Sequence, residues 1–142
     1  MITGFTVSNV EGKIESMEAL SKQRFPKINV NLEEVKSSND GVTVKYSFLA
    51  DYFDGDSKDA KSVGQLKLAG TVDIKESAEG VSAIMKSWNE KHILPTALAE
   101  EIMNGLNFRC SATGTLVAYS LGLIPPLGIS TIKIQEPEES KK

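Results

Sequence analysis

The side chains that could carry out chemistry in this sequence are few and widely separated. His92 is the only histidine and Cys110 the only cysteine. A cysteine nucleophile needs a partner base, and the segment around Cys110 is apolar, so we expect a buried thiol rather than a reactive one. His92 falls at the expected end of a helix, where an imidazole can interact with the helix dipole and the last carbonyl groups. Both residues are therefore predicted to be structural.

The acidic residues offer neither an acid–base pair nor a metal site. Glu100 and Glu101 are adjacent on a predicted helix, so their side chains point about 100° apart and cannot face one substrate together. The aspartate-rich stretch 54–59 resembles the start of a calcium-binding loop, but the position that requires glycine holds Asp59 and the position that requires glutamate holds Gln65. A solvated hairpin loop is predicted here. No catalytic group, cofactor or metal is expected.

Composition and charge narrow the class of protein further. The chain has 142 residues and a net charge of −3. Its basic residues are scattered, whereas nucleic-acid binding requires a basic face, so a nucleic-acid partner is not expected. One cysteine excludes an internal disulfide, and no secretory signal pattern opens the sequence. These features predict a cytoplasmic protein.

Alternating apolar and polar residues predict a sheet in the first half of the chain. Residues 26–33 alternate with a period of two, and Asp40-Gly41 marks a tight hairpin turn. The return strand covers 42–53, and a third long strand covers 63–75. Residues 1–25 are predicted to add an extended segment with a bulge near Gly12. The expected sheet is a four-stranded antiparallel meander.

The period changes after Ser77, where two helices are predicted. An apolar stripe at helical spacing is formed by Val81, Ile84, Met85 and Trp88. Pro95 begins a second, longer helix, because proline suits the first helical turn. Gly105 and Gly114 leave open whether this helix is continuous. Strands followed by helices indicate an α+β fold with both helices on one face of the sheet.

The C-terminal third contains a long segment without charge, from Cys110 to Ile132. Two prolines and several small polar residues interrupt it, so a membrane span is not expected. Such a segment is covered by the fold, by a partner subunit or by a bound client. We expect residues 1–135 to form one domain and 136–142 to form a flexible, acidic and polar tail.

The order of these elements and two short motifs resemble the SecB family of export chaperones. The first motif is Ile93-Leu94-Pro95, which opens the long helix, and the second is Gly-x-x-Pro-x-Leu-x-Ile over 122–129, which follows it. The interval between the motifs is longer than in the family, and the phenylalanine of the helix-entry motif is missing. The chain therefore resembles a divergent SecB-like protein.

This resemblance implies a function and an assembly. The function is that of an ATP-independent holdase chaperone, which binds non-native polypeptides and export precursors in an apolar groove. The assembly is a homotetramer built as a dimer of dimers, and coupling to the export motor stays open. By position, the groove residues are Tyr46, Phe48, Tyr52, Phe53, Trp88, Leu123, Ile124, Leu127 and Ile129.

Two alternatives would use the same apolar surface. A closed pocket would bind a small, lipid-like apolar ligand. A permanently covered C-terminal arm would make the chain a structural subunit of a larger complex. Neither alternative requires enzyme chemistry, and an enzyme is the least favoured class.

Overall fold

The computed structural model describes residues 1–126, and in that range it contains one four-stranded sheet and two α-helices. The strands are β1 (Ile2–Ile14), β2 (Lys27–Ser38), β3 (Gly41–Phe53) and β4 (Ser62–Lys75), with a 3-10 turn at Leu20–Lys22. The helices are α1 (Ala78–Lys91) and α2 (Thr96–Leu121). The predicted α+β fold is confirmed.

All neighbouring strands are antiparallel, and their order across the sheet is β1-β4-β3-β2. The meander β2-β3-β4 is joined at its β4 side by β1, so β1 and β2 are the two edges of the sheet. In the β2–β3 hairpin Ser38 pairs with Gly41, which leaves Asn39 and Asp40 as the turn. Gly41 therefore belongs to the strand, where a Cβ atom would collide with the Ile74 carbonyl of β4.

The bulge predicted for the N-terminal segment lies elsewhere in β1. The register with β4 shifts between Val7 and Asn9, and again between Ile2 and Gly4. Gly12 pairs regularly and serves a different purpose. A Cβ atom at Gly12 would lie 2.6 Å from a methyl group of Leu121 on α2, so this glycine permits the helix to approach the sheet closely.

The core lies between the two central strands and the helices. Its fully buried large side chains include Val42, Val44, Tyr46, Phe48, Tyr52, Val63, Leu66, Leu68, Val72, Ile102 and Leu106. The alternating residues of β3 and β4 supply most of this set because these strands have neighbours on both sides and helices above. Each such side chain contributes about 1.5–3 kcal/mol on burial. The edge strands β1 and β2 are covered only in part.

Helix α2 is continuous for 26 residues and passes through both glycines. A glycine inside a helix costs about 1 kcal/mol relative to alanine. Here each glycine makes room for a neighbour: a Cβ atom at Gly105 would lie 2.5 Å from Phe5 Cζ, and one at Gly114 would lie 2.9 Å from Pro126 Cγ. The two glycines therefore mark contact points rather than breaks in the helix.

Candidate functional site

An open apolar groove lies between the edge strand β2 and the elbow where α1 meets α2. Its volume is about 410 Å³. We call it the elbow groove, and it is lined by Val30, Asn31, Leu32, Trp88, His92, Ile93, Leu94, Thr96, Ala99 and Met103. Most of these side chains are apolar, and none is a carboxylate, a lysine or an arginine. The groove therefore suits an uncharged apolar segment of a ligand.

One wall of the groove is the helix-facing side of β2. Val30 and Leu32 alternate along the strand and stay half-buried, because β2 is an edge strand that the helices cover incompletely. Within residues 1–126, no backbone hydrogen bond from another element reaches the outer edge of β2. As far as residues 1–126 are concerned, the N–H and C=O groups along that edge are open to pairing with an extended chain.

The end of α1 forms the next part of the groove. His92 terminates the helix in the left-handed region with φ 54°, and its backbone N–H donates to Trp88 O at 2.8 Å. Its imidazole stands edge-on to the Trp88 indole, with ring centroids 5.5 Å apart and planes at 90°. The backbone of His92 therefore makes the helix cap, while its side chain contacts an aromatic ring and lines the groove.

The turn between the helices is held by short-range contacts. Ser77 caps the start of α1 by accepting a hydrogen bond from Gly80 N at 3.2 Å, as its sequence position predicts. At the other end, the Ser87 hydroxyl donates to Ile93 O at 2.8 Å. Pro95 takes the position before the first residue of α2 rather than a place inside the first turn. Ile93 is 48% exposed and forms an apolar rim on the groove.

Among the residues predicted to line a groove, Trp88 does so, whereas three aromatic residues of β3 do not. Tyr46, Phe48 and Tyr52 are fully buried in the core. Their strand lies in the centre of the sheet beneath the helices, so they cannot contact a client in this structure. Phe53 ends β3 outside the elbow groove, with Lys27 Nζ 5.1 Å from its ring centroid. The groove instead forms at the sheet edge.

The segment after α2 is covered by the chain itself as far as it is described. Gly122 ends the helix in the left-handed region with φ 74°, and Leu123 N–H donates to Ala118 O at 2.9 Å. Leu123 is buried, Ile124 is half-buried and Pro126 is fully buried. The predicted groove residues Leu127 and Ile129 lie outside the described residues. Residues 122–126, the described part of the segment after α2, therefore pack against the protein and do not line the elbow groove.

Gln23 holds this segment in place, which the sequence pattern did not reveal. Its side-chain amide donates to Leu20 O at 3.0 Å and to Gly122 O at 2.9 Å, and its Oε1 accepts from Ile124 N at 2.7 Å. Tyr52 adds a hydrogen bond from its hydroxyl to Ile124 O at 2.5 Å. Burial raises the pKa of Tyr52 to about 12, so the hydroxyl remains a donor at neutral pH.

Cys110 and Asp54, which were also considered for chemistry, lie in the core and in a hairpin loop, respectively. Burial raises the pKa of the Cys110 thiol to about 11, so the reactive thiolate is disfavoured at neutral pH, as expected for a buried thiol. Asp54 closes the β3–β4 hairpin loop by accepting a hydrogen bond from the Lys61 N–H at 2.8 Å.

Residues 1–126 contain no group of three or more potential metal ligands. Among the helices of this range, none has the length and apolar character needed to cross a membrane.

Comparison with known proteins finds a similar solved structure but no protein of similar sequence. No protein-family model and no curated protein matches the chain. Among solved structures, it is similar to the Mycobacterium tuberculosis Rv1957 SecB-like chaperone, solved in complex with a ChAD peptide from the Rv1956 HigA1 antitoxin. The identity is 11%, the match covers 97% of this chain and 91% of that chain, and the TM-score is 0.50. At this identity the likeness shows the fold alone, which is SecB-like.

Replacing Gln23 tests the anchor of the segment after α2. Gln23→Ala leaves Ile124 N–H without its partner, and we expect the free energy of unfolding to fall by about 1–3 kcal/mol. Hydrogen exchange should accelerate at the Ile124 amide. The matched control is Gln65→Ala, which removes a single bond to Asp51 on the sheet. Equal losses of stability in both variants, with unchanged exchange at Ile124, would contradict the anchor.

Proposed function

We propose that this protein is an ATP-independent holdase chaperone that binds non-native polypeptides in the elbow groove. The observation that carries the proposal is the position of an uncharged apolar groove beside the open backbone edge of β2. An unfolded chain presents both features that such a site recognises, namely apolar side chains and unpaired backbone groups. A folded protein hides both.

Binding would combine two weak and sequence-tolerant interactions. Apolar side chains of the client enter the groove beside Trp88 and Met103, and each fully buried one contributes about 1.5–3 kcal/mol. The client backbone adds a strand to β2, which supplies hydrogen bonds without regard to sequence. No nucleotide is needed, because capture and release follow from the concentration of exposed apolar segments. The net charge of −3 favours basic clients.

The likeness in fold supports this class of function. The structural relative is a chaperone seen with a peptide, and both chains share the same SecB-like fold over nearly their whole lengths. Precursors awaiting export belong to the proposed client class, because they present the same extended apolar segments. We therefore include export precursors among the proposed clients and place the activity in the cytoplasm.

Aggregation of an unrelated unfolded protein tests the holdase proposal. Without ATP, an equimolar amount of this protein should suppress light scattering from the aggregating client. Val30→Asp places a charge in the groove wall and should reduce the suppression by about tenfold or more in effective concentration, since a buried unpaired charge opposes apolar contact.

The matched control for this assay is Asn29→Asp, which introduces the same charge on the same strand at an exposed position that does not line the groove. This variant should protect the client as the parent protein does. Thermal unfolding of both variants checks that they are folded. Absence of suppression by the parent protein at a several-fold excess would contradict the holdase proposal.

We also propose a homotetramer that is a dimer of dimers. Towards its C-terminal end, the outward face of α2 carries two large apolar side chains, of which Leu116 is 72% and Tyr119 73% exposed. The edge strand β1 adds Val10, which is 48% exposed. Within residues 1–126 these side chains are left in water, whereas association with further copies would bury them.

Light scattering measures this assembly directly. The expected mass is about four times the chain mass of 15.4 kDa. Leu116→Glu should lower the mass, because a carboxylate would be buried without a partner between helices. Ser82→Glu, at an exposed position of α1, should leave it unchanged. A monodisperse monomer of the parent protein would rule out the assembly.

A further inference from the structure

A second concave site lies between β1 and α2, away from the elbow groove. Its volume is about 440 Å³. We call it the β1–α2 pocket, and it is lined by Phe5, Val7, Tyr46, Phe108, Arg109, Ala112 and Thr113. It shares no lining residue with the elbow groove. The two sites are therefore separate.

Arg109 is the single charged residue of this pocket. Its guanidinium carbon lies 4.7 Å from the centroid of the Phe5 ring. The ring is held under α2 at Gly105, where the missing Cβ makes room for it. Within residues 1–126 the ion pairs are Lys13–Glu15 and Lys36–Glu34, so no carboxylate in that range pairs with Arg109. A guanidinium placed on an aromatic face, with no carboxylate partner among the described residues, is suited to bind an anion.

The rest of the pocket is suited to an apolar chain. Val7 is 37% and Phe108 is 76% exposed, so both would gain cover from a ligand. Tyr46 reaches across β4 and donates from its hydroxyl to Thr6 O at 3.1 Å, which fixes the ring at the floor. Burial raises the pKa of Tyr46 to about 12, so this group stays neutral and does not compete for Arg109.

We propose that the β1–α2 pocket binds a small amphipathic carboxylate of the medium-chain fatty acid class. The carboxylate pairs with the Arg109 guanidinium, and the alkyl chain lies against Phe5, Val7 and Phe108. This site is additional to polypeptide binding and does not depend on it, because the two sites have separate linings. The pairing of one cation with an apolar wall selects against neutral alcohols, which lack the charge, and against short carboxylates, which lack the chain.

Calorimetric titration of the full-length protein with decanoate and with decanol tests this site. Decanoate should bind with one site per chain. Arg109→Met should weaken its binding by about tenfold or more, and Arg109→Lys should recover part of the loss. Decanol should bind the parent protein no more tightly than decanoate binds Arg109→Met. Ala112→Leu, which fills the pocket, should also weaken decanoate binding.

Two control variants separate this site from general apolar binding. Arg24→Met removes the other arginine of the chain, which lies outside the pocket, and should leave decanoate affinity unchanged. Val30→Asp alters the elbow groove and should also leave it unchanged while client protection is lost. Failure of decanoate to bind, equal affinities for decanoate and decanol, or an unchanged affinity in Arg109→Met would each overturn the proposal. Thermal unfolding confirms that each variant is folded.

Discussion

The close seating of α2 on the sheet is the contact on which the rest of the structure depends. Two glycines permit it. Gly12 of β1 makes room for Val117 and Leu121 of the helix, and Gly105 of the helix makes room for Phe5 of β1. A third, Gly114, makes room for Pro126 in the segment after the helix. A larger residue at any of these points would lift the helix from β1 or displace the segment that follows it. Interiors are packed too densely to absorb such a shift at no cost.

Both concave sites are consequences of this seating. Because α2 is held against β1 at one end of its path, its start is fixed at the elbow with α1, where the elbow groove opens beside β2. Next to β1, the same helix places the Arg109 guanidinium over the Phe5 ring and forms one wall of the β1–α2 pocket. One site is uncharged and lies beside an open strand edge, and the other combines a cation with apolar walls. The chemistry of each points to a different ligand.

Local sequence signals predicted most of the fold. Alternation predicted β2, β3 and β4, and an apolar stripe at helical spacing predicted α1, because each signal acts within a few residues. The site was predicted less well. A period of two tells which side chains of a strand share a face, but not whether the strand is central or at an edge. Tyr46, Phe48 and Tyr52 therefore appeared available for binding, whereas their central strand buries them. Likewise, Gln23 contacts Gly122 and Ile124 about a hundred residues away, and no local pattern signals such a contact.

Hydrogen exchange in the presence of a client tests most directly whether an unfolded chain binds along β2. We expect a saturating unfolded client to slow exchange of backbone amides in β2 and at the elbow around Ile93, because those groups pair with or lie beneath the client. Amides of the central strands β3 and β4 should be unaffected. Protection at β1 or on the outer face of α2, with no change along β2, would contradict client binding along β2.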